Sequence, residues 1–306
     1  MKEGALVVVG VVLALGNAFG QSYRFSFAFG EPGSDPGQLQ WPAGLFMEQD
    51  GQLFVADRYN RRIEVFDSKG SYLREFGAEQ LIEASGVARD GEEGNLYVVD
   101  PNRERVQVFD GAGEFLFGFG EHGSGPGQFQ TPLGVAVQSS GNVLVVDHFG
   151  RRIEVFDRDG NYLSELTAAG DRQFNNTWAV AVDGFDNIYV ADLSLSECAN
   201  VFDPSGLFLY AVGGHGEGDG ECIHPHEIAV DVKGNVFISD GYPNFHNIER
   251  IQVFASDGTF LSTIGEPGQE YGQFNYAGGV TVDLVGNVFI SDTEQSRIQV
   301  FAPSER

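Results

Sequence analysis

One phrase returns six times along the chain and constrains its folding more than any other feature. It appears as "LFVADRYNRRIEVFD" (53–67), "LYVVDPNRERVQVFD" (96–110) and "LVVDHFGRRIEVFD" (144–157), and ends as "VFISDTEQSRIQVFA" (288–302). The aspartates that close its first segment are Asp57, Asp100, Asp147, Asp192, Asp240 and Asp292. Their spacing of roughly 43 to 52 residues is the period of a propeller blade. Each unit reads as four short strands. A small, apolar inner strand such as "GVAVQ" (134–138) is followed by an Asp/Gly/Asn turn and a Val/Ile-rich second strand. An alternating third strand, "RIEVF" or "RIQVF", then leads through a second turn to an aromatic fourth strand such as "FLFGFG" (115–120). Helical periodicity is absent beyond the N-terminal run, so the fold class is all-β.

The sixth unit stops after its third strand, and its fourth lies at the other end of the chain. "FSFAFGEPGSDPGQLQWP" (25–42) matches "FLFGFGEHGSGPGQFQTP" (115–132) almost residue for residue. The expectation is a six-bladed β-propeller of four-stranded blades, closed by the N-terminal strand completing the last blade, which leaves no open edge. The phrases V-x-D, R-I-x-V-F and G-x-F-L-x-x-F-G, with the loop G-x-x-G-x-x-x-G-Q-F, resemble the NHL-repeat family over residues 23 to 302. The resemblance implies a six-bladed propeller, a fold used for ligand binding, protein contacts and, in some members, catalysis.

Ahead of the repeats, Lys2 precedes an apolar run from Ala5 to Leu15, with small residues at Gly16, Ala18 and Gly20. This reads as a signal peptide over residues 1–20, with the propeller over 21–306 and a secreted or periplasmic location. The apolar run is short for a bilayer span, and an uncleaved N-terminal anchor is the alternative. Against 44 acidic residues stand 18 basic ones, three of them lysine. Such a surface repels phosphate backbones and anionic headgroups, which disfavours nucleic-acid binding and stable membrane insertion.

In this blade order, the loops between second and third strands share one face with the loops between blades. Two aligned positions at the inner-strand starts show what each blade presents there. One reads Gly44, Gly86, Gly134, Ala179, Glu227 and Gly279; the one before it reads Ala43, Ser85, Leu133, Trp178, His226 and Gly278. Only blade five offers titratable side chains, in "IHPHEIAVD" (223–231). Trp178, His226, Glu227, Tyr59, His148 and Tyr242 are therefore the candidate contacts for a protein or small-molecule ligand on the channel face.

His224 and His226 lie two apart on one strand and share a side, and His148 of blade three could approach across the channel. With a third donor such a set suits zinc or another divalent metal. Blade five also resembles the peptidylglycine amidating lyase, where zinc is held by histidines of three alternating blades. His226 matches the Pro-His motif and Tyr242 the Asp-Gly-Tyr motif, but the alternating positions here are Ala43 and Leu133, neither of which binds zinc. No Ser-His-Asp arrangement, phosphate loop or catalytic carboxylate pair is present; loops such as "GEHGSGPGQFQ" (120–130) precede strands and are connectors.

Five units carry an arginine before the third strand: Arg62, Arg105, Arg152, Arg250 and Arg297. Recurring with the aspartates, these arginines read as fold-stabilising ion pairs or turn hydrogen bonds. Blade four has Cys198 instead, and Cys222 lies in the loop leaving that blade, so a Cys198–Cys222 disulfide is expected in an oxidising compartment. The leading reading is a binding or interaction module rather than an enzyme; the alternative is a metal-dependent lyase or hydrolase centred on blade five.

Overall fold

A computed structural model describes residues 22–91, 94–169, 172–193, 196–242 and 245–304; the expected signal peptide lies outside them. Six four-stranded antiparallel sheets follow one another around a central channel. The inner strands are Pro42–Met47, Val87–Arg89, Pro132–Val137, Thr177–Val182, Pro225–Val230 and Ala277–Val282. In blade one the order outward is Pro42–Met47, Gln52–Asp57, Arg62–Asp67 and Tyr72–Phe76, and the other blades repeat it. The helical structure among the described residues is one short 3₁₀ turn, Pro101–Arg103.

Closure is by strand exchange, as the sequence predicts. Tyr23–Phe29 pairs antiparallel with Arg297–Pro303, from Tyr23 opposite Pro303 to Phe29 opposite Ile298, with a bulge between Phe25 and Phe27. The last sheet thus combines both ends of the chain, and the edge of Arg297–Pro303 is covered.

The core lies between blades, because the Val/Ile-rich faces of neighbouring sheets meet there. Blade one packs Phe54, Ile63 and Phe76 against Val87, Val98 and Phe109 of blade two. The seam between the last blade and the first is built the same way: Leu53, Val55 and Phe66 meet Phe289, Ile298 and Val300. Each buried Phe, Leu, Ile or Val contributes about 1.5–3 kcal/mol. The closing seam is therefore as apolar as the five internal ones.

The connector leaving blade two is pinned by an aromatic plug. Gly120 adopts φ +84°, and a Cβ there would come within 2.3 Å of the Phe129 ring. The fully buried Phe129 packs directly onto this glycine. The same loop in blade four carries the disulfide: Cys198 and Cys222 are bonded, with Cα atoms 5.2 Å apart.

Candidate channel-face site

The repeated aspartates fix where each inner strand begins. Asp147 Oδ1 accepts the amides of Gln130 and Thr131 at 2.8 and 2.9 Å, and Asp240 Oδ1 accepts those of Ile223 and His224 at 2.8 and 2.9 Å. Arginine completes the unit in four blades, with N–O distances of 2.9 Å (Arg62–Asp57), 3.4 Å (Arg152–Asp147), 3.1 Å (Arg250–Asp240) and 2.7 Å (Arg297–Asp292). Blade two corrects the expected pattern. Asp100 is met by Arg103, 3.3 Å away in the 3₁₀ turn, while Arg105 donates to the Gly118 carbonyl at 2.8 Å. The turn brings Arg103 back to the aspartate that caps it.

With the strand starts held this way, the small residues aligned from the sequence crowd the channel mouth. A Cβ on Gly44 would lie 2.5 Å from the Ser85 carbonyl oxygen, one on Gly86 2.7 Å from that of Leu133, and one on Gly279 2.3 Å from that of Ala43. Each blade leans on the next, and at these three positions only a residue without a side chain fits; blade four carries the small Ala179, and a Cβ on Gly134 would meet its nearest neighbours at an ordinary 3.4 Å. Blade five departs from this rule because blade six carries glycine at both aligned positions. Gly278 and Gly279 line, together with Glu227, a cavity of about 70 Å³ at the mouth. Glu227 also reaches the larger channel volume below, about 220 Å³ between the inner strands. Burial pushes its carboxyl up to about 8, opposed by the Ile228 backbone amide.

His226 points into the seam between blades five and six. Its Nε2 meets the Ala277 carbonyl at 2.8 Å and its Nδ1 the His224 carbonyl at 3.0 Å. Its ring stacks on Tyr276, centroids 5.1 Å apart. Burial lowers its pKa, against the pull of the two carbonyls. His224 lies outside it, stacked on Tyr242 at 4.9 Å, its pKa lowered to about 4 by burial and by the neighbouring His226.

These rings belong to an aromatic arc along the mouth. Phe149 packs on His148 at 4.8 Å, His148 on Trp178 at 4.7 Å, and Trp178 on His224 at 5.7 Å. The arc continues through Tyr242 to Tyr276 at 6.1 Å. Tyr59 stands apart from these, stacked on Trp41 at 5.5 Å with the Arg58 guanidinium beside it. Trp41, Arg58, Trp178, His226, Glu227 and Tyr276 all line the mouth cavity. Within the described residues, Trp178 Nε1 and His224 Nδ1 are buried without a hydrogen-bond partner.

Sequence reasoning missed Trp41, Tyr276, Arg58 and Phe149. The signal was available: the position two residues before Ala43, Ser85, Leu133, Trp178, His226 and Gly278 reads Trp41, Glu83, Thr131, Asn176, His224 and Tyr276. Four of these six are aromatic, imidazole or charged. Arg58 and His148 each directly follow a repeated aspartate.

The metal set expected from the sequence, His148, His224 and His226, is not arranged as ligands. Both His226 nitrogens face backbone carbonyls, so neither offers a lone pair to the cavity. His148 Nδ1 is engaged by the Thr177 carbonyl at 2.8 Å. Among the described residues no three His, Cys, Asp or Glu side chains are grouped to hold a metal ion. The donors present therefore do not fit a zinc site, which asks for three or four convergent ones.

Comparisons with known proteins agree on architecture. A family model described as a 6-bladed β-propeller matches residues 90–179. Protein brain tumor of Drosophila melanogaster is 28% identical over 130 residues, 42% of this chain and 12% of that protein. NHL repeat-containing protein 3 of Mus musculus is 36% identical over 78 residues, 26% of this chain and 22% of its own length. The chain thus matches less than a quarter of either relative. A gluconolactonase from Xanthomonas campestris superposes with a TM-score of 0.68 at 18% identity, covering 98% of this chain and all of that one, a likeness of fold.

Proposed function

We propose that this chain, an NHL-repeat six-bladed β-propeller, is a secreted or periplasmic protein-interaction module that binds its partner through the channel face. The observation that carries the reading is the gathering of both tryptophans of the chain, Trp41 and Trp178, with Tyr59, Tyr276, Tyr242 and His148 around one mouth. Aromatic side chains at a concave surface supply large contact area at low entropic cost and dominate binding hot spots. The unpaired Trp178 Nε1 adds a donor aimed at no protein acceptor among the described residues. The Cys198–Cys222 disulfide supports an oxidising compartment.

The alternative, a metal-dependent lyase or hydrolase centred on blade five, needs a donor set that the described residues do not bring together. A photo-crosslinking residue placed at Tyr59 or Tyr242, both exposed on the channel face, should capture a discrete protein in the producing cell. The same residue at Asp50, in a turn on the opposite face, should not. Equal capture from Asp50, or none from Tyr59 and Tyr242, would remove the proposal.

A further inference from the structure

We infer that the channel mouth receives the ammonium tip of a lysine side chain from the protein partner, with Glu227 as its counter-charge and the tryptophan rings as its walls. This rests on the channel-face reading above and adds the chemistry that the face recognises.

Charge balance inside the channel is the first ground. Two guanidinium groups line this space, and each already has a carboxylate: Arg58 is paired with Glu83, and Arg89 with Glu48. Glu227 lines the same space and forms no salt bridge among the described residues. Glycine, aliphatic and aromatic residues dominate its surroundings, with Arg58, Ser85, Thr293 and His226 also lining the mouth, and desolvation by burial pushes its carboxyl up to about 8. An arriving cation would supply the missing partner.

The walls and the shape favour an ammonium on an apolar stem. The faces of Trp and Tyr rings attract cations, by about 0.5–2 kcal/mol depending on desolvation. Trp41, Trp178 and Tyr276 all face the mouth cavity. A space of about 70 Å³ admits the end of one extended side chain. A guanidinium is broad, planar and suited to two parallel acceptors, whereas a single carboxylate in a narrow mouth suits a compact point charge. The lysine stem would lie along apolar wall with its head at the carboxylate. Over the whole chain 44 acidic against 18 basic residues would steer a basic partner inward.

The groups facing Glu227 limit what else titrates. Arg58 is held by Glu83, and burial raises the Tyr276 hydroxyl above its ordinary range, so it stays neutral. Burial keeps His226 toward its neutral form. Glu227 is then the group whose ionisation controls entry of a cation between about pH 6.5 and pH 9.

The experiment uses Nα-acetyl-lysine amide with the full chain, read by tryptophan emission, since both tryptophans line the cavity. The expected result is a saturable change at about pH 9, at least tenfold weaker at about pH 6.5, and at least tenfold weaker in Glu227→Gln at pH 9. Nα-acetyl-norleucine amide, which keeps the stem and lacks the charge, should give no saturation. Thermal unfolding of Glu227→Gln and of Glu227→Asp checks that the fold persists, and Glu227→Asp should retain part of the binding. Equal affinity in Glu227→Gln, equal binding of the norleucine probe, tighter binding of acetyl-arginine amide, or no saturable change would each overturn the inference. Crosslinking from Tyr59 and Tyr242 would still report separately on the channel face.

Discussion

His226 lies flat against Tyr276, ring centroids 5.1 Å apart and planes inclined by 26°, while its Nε2 meets the Ala277 carbonyl at 2.8 Å. The pair ties the inner strand of blade five to that of blade six. Replacing His226 by Ala would leave the Ala277 or the His224 carbonyl, whichever takes the single N–H of the neutral ring, without its donor and open a void beneath Tyr276. The expected loss is about 3 kcal/mol. It should appear as a lower denaturant midpoint, with no accompanying loss of bound zinc. An unchanged midpoint would mean that the imidazole bonds are not structural.

Four buried carboxyls predict how stability varies with pH. Burial pushes Glu64 and Glu227 to about 8, Glu154 to about 7 and Glu249 to about 8. A carboxyl whose folded pKa exceeds its unfolded value of 4.5 binds its proton more tightly when folded. Its stabilising contribution is therefore full below about pH 4.5 and is lost as pH rises through about 7 to 8. Glu64 and Glu154 occupy the position held by Gln107, Gln252 and Gln299 in blades two, five and six. Glu64 Oε1 accepts the Gly37 amide at 3.0 Å, as Gln299 Oε1 accepts that of Gly272 at 2.8 Å. The Glu64→Gln, Glu154→Gln double variant should keep the fold and show a shallower decline in urea midpoint between about pH 5 and pH 8. Identical slopes in variant and parent would contradict this assignment.

The disulfide carries a separate expectation. It closes a loop of sequence separation 24 in the blade that lacks the arginine. Loop-closure entropy gives about 3 kcal/mol for a bridge of this span. Cys198→Ser with Cys222→Ser should lower the unfolding free energy by about that amount while leaving the channel-face tryptophan emission unchanged. A variant as stable as the parent would show the bridge to be energetically idle.

Asp147 offers a test of the strand-start device. Its carboxylate accepts two backbone amides and is paired with the buried Arg152. Asp147→Ala leaves the Gln130 and Thr131 amides without their acceptor, at about 1–3 kcal/mol each, while Arg152 keeps Glu154 and Glu165 as partners. Asp147→Asn keeps an acceptor and should recover part of the loss. Equal stability of the two variants would argue that the charge alone matters.

The fold was legible because its period is written in the backbone-directing residues. Aspartate-ended second strands, alternating third strands and glycine-rich connectors recur whether or not a site exists, and "FSFAFG" (25–30) announces ring closure by its likeness to "FLFGFG" (115–120). The disulfide was legible for the same reason, since Cys198 breaks a column of arginines. The site was legible only in part. Glu227 and His226 stood out against small residues in their columns, and Trp178 adjoined them. What His226 does was hidden, because its Nε2 partner, Ala277, lies 51 residues away and arrives only when blade six closes beside blade five. Local spacing paired His224 with His226 as ligands, whereas packing gave the first ring to Tyr242 and the second to Tyr276. Trp41 and Tyr276 were readable two alignment columns further upstream, where the chain enters the inner strand.

The central claim is that the channel face binds a protein partner, and Trp178 tests it most directly. The measurement is the calorimetric affinity of the purified protein for the partner captured by crosslinking at Tyr59, before and after Trp178→Ala. A buried aromatic hot spot is worth about 2 kcal/mol or more, so the account predicts a loss of roughly thirtyfold or greater with the thermal unfolding profile retained. An unchanged affinity in a folded Trp178→Ala variant would contradict it.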